Sequence, residues 1–106
     1  MSKIVLNHED KEYVLEYNRQ SVKMMEGQGF VLDELVSKPM TMIPLLFSGA
    51  FIKNCKGTKR NVIDEIFKGI SDKNELLEAL MEMYTETLST LTDSTDEGNV
   101  TWTLQK

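Results

Sequence analysis

The sequence predicts an α+β fold in which an N-terminal β-hairpin packs on three to four short helices around a central apolar helix. Residues 12–17 alternate between polar and apolar side chains, the period of a half-buried strand, whereas several later segments repeat apolar residues every three or four positions. The central segment 40–52, MTMIPLLFSGAFI, has ten apolar residues in thirteen and no charge. It is shorter than the ~20 residues that cross a bilayer, so a buried helix is expected. A helix that is apolar nearly all round must be covered by other elements or by a partner.

Length and composition predict one globular domain. The chain has 106 residues, of which 41% are hydrophobic and 27% charged, values typical of a folded protein with one core. We expect a single domain over residues 1–106, with a hairpin at 3–17, a helical region at 18–92, and an acidic loop and C-terminal strand at 93–106. The first residues contain no apolar run of signal-peptide length. The single cysteine, Cys55, excludes an internal disulfide framework and suits a reducing cytosol.

The hairpin is predicted from two short runs, residues 4–6 and 12–17, which flank the five-residue polar connection NHEDK. In the second run Tyr13, Leu15 and Tyr17 alternate with polar or smaller residues and therefore share one face. A two-stranded hairpin is marginal in water by itself. Its apolar face must therefore pack on the helices.

Capping residues place the first helices. Asn18 is predicted to cap a helix that begins at residue 19 and is ended by the glycines at 27 and 29. The pair Lys38-Pro39 is predicted to end whatever helical segment precedes it, because the residue before proline is disfavoured in the helical region. We expect the central helix to begin with Thr41 as its N-cap, to hold Pro44 in its first turn and to run to about residue 55.

Two further helices and a strand are predicted after the central helix. Thr58 is the expected cap of the first of these helices and Gly69 its end, while Asp72 with Glu75 approximates a capping box for the second. The inward residues of this last helix are expected to be Leu76, Leu77, Leu80, Met81, Tyr84, Leu88 and Leu91. In the tail, Val100, Trp102 and Leu104 alternate with threonines, which predicts a strand that can join the hairpin as a third strand.

The net charge of −5 is unevenly divided along the chain. Residues 1–34 carry four basic and seven acidic groups, residues 35–63 five basic and no acidic groups, and residues 64–106 three basic and ten acidic groups. This pattern disfavours general nucleic-acid binding. One local alternative is a small DNA-binding regulatory protein that uses Lys56, Lys59 and Arg60. The Asp64 and Glu65 carboxylates at the start of the next helix would face phosphates badly.

No residue pattern indicates catalysis. His8 is the only histidine and lies in a predicted turn, far along the chain from Cys55, so a Cys–His nucleophilic pair is not expected. One histidine and one cysteine do not supply a zinc site, and the glycines match no phosphate-binding loop. The glutamates spaced along the last helix fit a solvated face better than acid–base chemistry. We therefore predict that the protein is not an enzyme and uses no metal and no cofactor.

Methionine content predicts a partner-binding surface. Seven methionines are present, and their flexible thioethers serve both irregular cores and adaptable binding surfaces. One helix cannot bury Met24 and Met25, or Met81 and Met83, against the same neighbour, so apolar surface should remain for a partner. The C-terminal strand is a second candidate for partner binding. It either docks on the hairpin of its own chain or adds to the edge of a partner's sheet. The predicted partner-binding residues are Met24, Met25, Phe30, Met40, Met42, Met81, Met83 and Trp102.

Five segments carry a resemblance to a known family: EYVLEYNRQSVKMMEGQGF, KPMTMIPLLFSGAF, KRNVIDEIF, ELLEALMEMY and EGNVTW. Over about residues 13–102 the sequence resembles the tail assembly chaperones of long-tailed (siphovirus-type) bacteriophages and prophages of Gram-positive bacteria. The PMTMIPLLFSGAF block is the most specific part of this resemblance. No residue-level binding motif carries over from that family.

The resemblance implies a non-catalytic role in tail assembly. Such chaperones bind the long, helical tape-measure protein, keep it soluble, are thought to recruit the tail-tube (major tail) protein, and are absent from the mature virion. By this resemblance the protein would act in the cytoplasm of the bacterial host, without nucleic acid or membrane, and its block charges leave room for self-association. The alternatives are the DNA-binding regulatory protein already named and a minor structural subunit of the virion.

Overall fold

A computed structural model describes residues 2–92 and 100–105 and confirms the α+β class. The elements occur in the order hairpin, short helix, 3₁₀ helix and three further helices. Their bounds are β1 Ile4–His8, β2 Lys11–Leu15, α1 Arg19–Gly27, a 3₁₀ helix Leu32–Glu34, α2 Pro39–Gly49, α3 Arg60–Lys68 and α4 Lys73–Ser89.

The hairpin is tighter than predicted. Its strands pair antiparallel up to His8 opposite Lys11, so only Glu9 and Asp10 form the turn and the expected five-residue connection is wrong. Both turn residues have positive φ, 50° for Glu9 and 65° for Asp10. Two consecutive left-handed residues are the signature of a type I′ turn, whose twist matches that of the strands and lets the ladder continue to its last pair.

The predicted apolar face of the hairpin is confirmed and faces the helices. Tyr13, Leu15 and Tyr17 are all buried. The Glu16 N–H donates to the Ala50 carbonyl at 3.1 Å, just beyond the end of α2. The buried Tyr17 hydroxyl donates to the Leu46 carbonyl, and burial, with a smaller contribution from Tyr84, raises the pKa of this phenol. The hairpin is therefore fixed to α2 by backbone as well as side-chain contacts.

The cap predicted for α1 is confirmed. Asn18 Oδ1 accepts from the Ser21 N–H at 2.7 Å, and Ser21 Oγ accepts from the Asn18 N–H at 2.9 Å. These two bonds satisfy N-terminal donors that the helix itself cannot pair. The helix ends at Gly27, and Gly29, with φ of 96°, turns the chain toward Phe30.

Helix α2 begins earlier and ends earlier than predicted. Pro39, not a residue after Thr41, occupies the first helical position, where a missing N–H costs nothing; Lys38 is the N-cap. The last helical residue is Gly49, and turns follow it up to residue 54. Pro44 consequently lies inside the helix, so the Met40 carbonyl lacks its intrahelical donor. Met40 is exposed, which leaves that end of the helix open to water.

The apolar character of α2 is explained by its position at the centre of the fold. It contacts α1, α3, α4 and the 3₁₀ helix. Phe47 packs with ring centroids 5.1 Å from both Phe51 and Phe67, and Tyr13 of the hairpin lies 5.9 Å from Phe51. No helix among residues 2–92 and 100–105 is long and apolar enough to span a membrane. The buried core comprises Tyr13, Leu15, Tyr17, Val22, Met25, Phe30, Met42, Leu46, Phe47, Ala50, Phe51, Ile63, Ile66, Leu80, Met83 and Tyr84.

The last two helices follow the predicted pattern with shifted ends. Lys59, not Thr58, is the N-cap of α3, and no side chain caps it; Gly69 follows its last residue as expected. Asp72 Oδ1 accepts from the Glu75 N–H at 3.0 Å, which confirms the cap of α4. Because α4 ends at Ser89, Leu91 lies beyond it and is 67% exposed, so its predicted inward position is wrong.

The predicted C-terminal strand is not formed. Residues 100–105 have no regular secondary structure and are all exposed, and the sheet of the described residues contains β1 and β2 alone. The alternation of Val100, Trp102 and Leu104 has the period of a strand, but a strand also needs a neighbouring edge with which to pair its backbone. The acidic loop predicted at 93–99 lies outside the described residues.

The approach of α1 to α2 predicts a large effect at Gly49. A Cβ there would overlap Met25 Sδ and lie 2.6 Å from Met25 Cγ, and Met25 is fully buried. We expect Gly49→Ala to destabilise the fold by about 1–3 kcal/mol through overpacking, although alanine is normally the better helix former. In urea unfolding, the double variant with Met25→Ala should be more stable than the sum of the single changes predicts. Strict additivity would contradict this contact.

The attachment of the hairpin predicts a pH-dependent contribution to stability. Hydrogen bonds from Asn54 and Lys53, at 2.9 and 3.0 Å, lower the pKa of Glu16 from 4.5. Because the folded-state pKa lies below the unfolded one, the stabilisation is complete above the unfolded pKa and is lost as the pH falls through the folded-state pKa. Asn54→Ala should therefore cost on the order of 0.5 kcal/mol at pH 7 and less in strong acid, where the longer bond from Asn54 Nδ2 to the Val14 carbonyl, at 3.4 Å, does not depend on pH. Urea unfolding at both pH values measures this, and an unchanged difference in acid would contradict it.

Candidate partner-binding groove

An apolar groove runs between α1, the 3₁₀ helix and α4. It consists of two adjoining cavities of about 460 and 220 Å³, which share Glu26 and Leu88 in their walls. The larger cavity is lined by Glu26, Phe30, Val31, Leu32, Asp33, Tyr84 and Leu88. The smaller is lined by Arg19, Val22, Lys23, Glu26, Thr87, Leu88 and Leu91. We call their union the α1/α4 groove.

The wall of the larger cavity contains two interlocked aromatic rings. Phe30 and Tyr84 meet edge to face, with centroids 5.0 Å apart, and Tyr84 meets Tyr17 in the same way at 5.6 Å. Phe30 is held in place by its own N–H, which donates to the Met25 carbonyl at 3.0 Å where the chain leaves α1. Edge-to-face packing of this kind stabilises a fixed arrangement of rings. This part of the groove is therefore preformed.

Apolar side chains next to these rings remain accessible to water. Val31 is 45% exposed and Leu91 67% exposed, at opposite ends of the groove, and Leu88 between them is half-buried. Contiguous exposed apolar surface rimmed by polar groups is typical of a site for a protein partner.

The two ends of the groove carry residues of opposite charge. Arg19 and Lys23 belong to the cavity that contains Leu91, whereas Asp33 belongs to the cavity that contains Val31. Glu26 lines both cavities, between these two ends. Burial raises the pKa of Tyr84, and the negative charge of Glu26 raises it further. The groove is thus basic near the end of α4 and acidic near the 3₁₀ helix.

Arg19 also connects the two helices that form the groove. Its Nε donates to Thr90 Oγ1 at 3.2 Å, and its Nη2 donates to the Thr90 carbonyl. Thr90 is the C-cap of α4, where unpaired carbonyls carry the negative end of the helix dipole. A guanidinium here therefore compensates the helix end and holds it beside α1.

The eight predicted partner residues do not form one surface. Phe30 lines the α1/α4 groove but is only 3% exposed. Within each methionine pair one member is buried and the other is not, as the spacing indicated. Met25, Met42 and Met83 are core residues at 0%, 4% and 4% exposure; Met24 and Met81 are half-buried; Met40 and Trp102 are 90% and 83% exposed, outside the lining of the groove.

Sequence reasoning missed most of the groove. Val31 follows Phe30 in a segment without clear periodicity, and nothing local marks it as exposed. Leu88 and Leu91 are three residues apart and were both expected on the inner face of α4. Leu88 does pack against the core, whereas Leu91 lies beyond the end of the helix at Ser89 and is exposed. The charged residues of α1, Arg19, Lys23 and Glu26, are evident in the sequence, but only the packing of α1 on α4 makes them a rim.

The structure also gathers possible metal ligands that the sequence did not suggest. Donor atoms of His8, Glu9 and Glu65 lie within 4.8 Å of one another, and His8 Nε2 is buried without a hydrogen-bond partner among the described residues. Both carboxylates are exposed, where water competes for them, and we assign no ion to the cluster. Cys55 is half-buried, and its Sγ lies 3.7 Å from the Val14 carbonyl, which is consistent with a packing role.

The fold and the groove define a class: a small α+β protein with a preformed apolar groove of the kind that accepts a helix or an extended segment. Residues 1–105 match the family described as a domain of unknown function (DUF5055), and the chain belongs to that family. No curated protein and no solved structure matches the chain.

The Arg19 contact predicts a local effect on α4. Arg19→Ala removes a charged donor from the Thr90 carbonyl and should reduce the free energy of unfolding by about 1 kcal/mol, with faster amide hydrogen exchange in the last turn of α4. Lys23→Ala is the matched control, since Lys23 also lies on α1 and lines the groove. Equal effects of the two changes would argue against a specific role for the Arg19–Thr90 bonds.

Proposed function

We propose that the protein is a non-catalytic tail assembly chaperone of long-tailed bacteriophages or prophages of Gram-positive bacteria, which binds the tape-measure protein and assists tail-tube assembly. In this role it acts in the cytoplasm of the bacterial host, meets the tail-tube protein and is absent from the mature virion. The observation that carries the proposal is the α1/α4 groove, a preformed apolar surface with no covering element among the described residues. The sequence resemblance supplies the identity of the client.

The chemistry of the groove suits a helical client. An amphipathic helix presents apolar residues at three- and four-residue steps, and it buries them in a groove lined by aliphatic and aromatic side chains. Phe30 and Tyr84 are buried and form a rigid aromatic floor, while Val31, Leu88 and Leu91 provide aliphatic surface that can adjust to different client residues. Such a lining contacts apolar side chains without demanding one particular sequence.

The dimensions of the groove suit reversible binding. Its two cavities are short compared with a long helical client, so each copy covers only a small part of that client. Many weak sites along one client give strong overall association while each copy can still dissociate. This behaviour is what an assembly factor needs when tail-tube subunits replace it.

The charged exterior supports the same role. The outer side of α4 carries exposed glutamates at regular helical spacing, Glu75, Glu78 and Glu82. A client coated with such surfaces carries net negative charge, which opposes aggregation.

Co-expression with the tape-measure protein tests the proposal. The wild-type protein should increase the soluble fraction of the tape-measure protein, and Leu91→Glu or Val31→Glu should lower that fraction severalfold, because each places a carboxylate in the apolar groove. Met25 and Met83 are unsuitable positions, since a charge at a buried site tests folding instead of binding.

Val36→Glu is the matched control, because Val36 is 91% exposed and lies outside the lining of the groove. Circular dichroism must show that all three variants are folded. A wild-type protein that leaves the tape-measure protein insoluble would overturn the chaperone function. If the wild type keeps the tape-measure protein soluble and the Leu91→Glu and Val31→Glu variants do so equally well, the client binds outside the groove.

A further inference from the structure

We propose that the α1/α4 groove also binds the C-terminal segment, residues 100–105, of a second copy of this chain, and that two copies exchange these segments reciprocally. The inference goes beyond the chaperone function and does not depend on it. It rests on an exposed apolar segment and an unfilled apolar groove in the same chain, and on their matching length and charge.

The segment has unusually exposed apolar side chains. Val100, Trp102 and Leu104 are 84%, 83% and 74% exposed. Burying a large aromatic and two aliphatic side chains is favourable, because it removes apolar surface from water. Tryptophan is also enriched, with tyrosine and arginine, among the residues that anchor protein interfaces.

The groove has the length that the segment requires. In an extended strand Val100 and Leu104 are separated by about 13 Å. Along α4 the rise from Tyr84, in the larger cavity, to a position level with Leu91 is about 10 Å, and the 3₁₀ helix extends the groove beyond Tyr84. Three alternate side chains can therefore contact both cavities at once.

Charge complementarity sets the direction in which the segment lies. Acidic residues precede it and a basic residue follows it: Asp93, Asp96, Glu97 and Lys106. The groove is basic at the Leu91 end and acidic at the Val31 end. Because the acidic residues come before residue 100 in the sequence, the favoured direction places residue 100 at the basic end, near Arg19 and Lys23, and residue 105 at the end that contains Asp33. The reverse direction would bring the start of the segment, which follows the acidic residues, to Asp33.

A second copy is the occupant that the structure favours. The chain's own residues 100–105 are exposed along their whole length and do not occupy the groove. Each copy has one segment and one groove, and when two copies exchange their segments reciprocally the arrangement is closed and two-fold and does not polymerise. The segment then occupies the surface proposed for the client, and client binding would separate the two copies.

Trp102 is the chain's only tryptophan, so its fluorescence reports the segment directly. We expect the wild-type emission to be blue-shifted at high protein concentration and to move to the red on dilution, with the same midpoint as the dimer-to-monomer transition in sedimentation experiments. Leu91→Glu should raise the dimer dissociation constant at least about tenfold, while Val36→Glu should match the wild type.

A mixing experiment adds a second, independent readout. A chain with Trp102→Asp and Leu104→Asp keeps its groove but has no tryptophan signal. Added to the Leu91→Glu chain, it should restore part of the blue shift, because one intact segment again meets one intact groove. No client protein is present, so the result does not depend on the chaperone proposal.

Three results would overturn the inference. A blue shift that is independent of concentration in a monomer would show that the chain's own segment fills the groove. An emission typical of water-exposed tryptophan at every concentration would show that the segment does not dock. A dimer that persists unchanged in Leu91→Glu would place the contact between copies on another surface.

Discussion

Burial of α2 is the constraint on which the other elements depend. Met42 and Leu46 share one face of the helix, Phe47 lies about a quarter of a turn away, and all three are buried. A helix of this kind is stable in water only when neighbours cover most of its circumference. The hairpin, α1, α3, α4 and the 3₁₀ helix supply that cover, each with one apolar face. The hairpin, which would be marginal alone, is in turn stabilised by α2 through the Glu16–Ala50 and Tyr17–Leu46 hydrogen bonds.

The α1/α4 groove follows from the way this cover is distributed. Helix α1 has nine residues and α4 has seventeen, and the glycine turn after α1 directs the chain away along the 3₁₀ helix. Val22 and Met25 of α1 pack into the core, whereas Leu88 is only half-buried and Leu91 is exposed. The same glycine turn positions Phe30 against Tyr84. The glycines that end α1 therefore create both the opening of the α1/α4 groove and its aromatic wall.

Methionines have a different role from the one that their number suggested. Met25 fills the space that Gly49 leaves at the crossing of α1 and α2, and Met42 and Met83 are likewise core residues. An unbranched thioether suits such irregular gaps. The accessible apolar surface of the groove comes instead from valine and leucine residues at or near element ends, where the helical period no longer determines the direction of a side chain.

The sequence by itself determined the elements whose causes are local. The caps at Asn18 and Asp72, the stop after Gly27 and the alternation in β2 each depend on residues no more than about four positions apart. Tertiary structure alone decided the early end of α2, the exposure of Leu91, the absence of a third strand in residues 100–105 and the assembly of the groove. These features depend on contacts between segments far apart in the chain. Periodicity shows which side chains need burial, but only packing shows which of them obtain it.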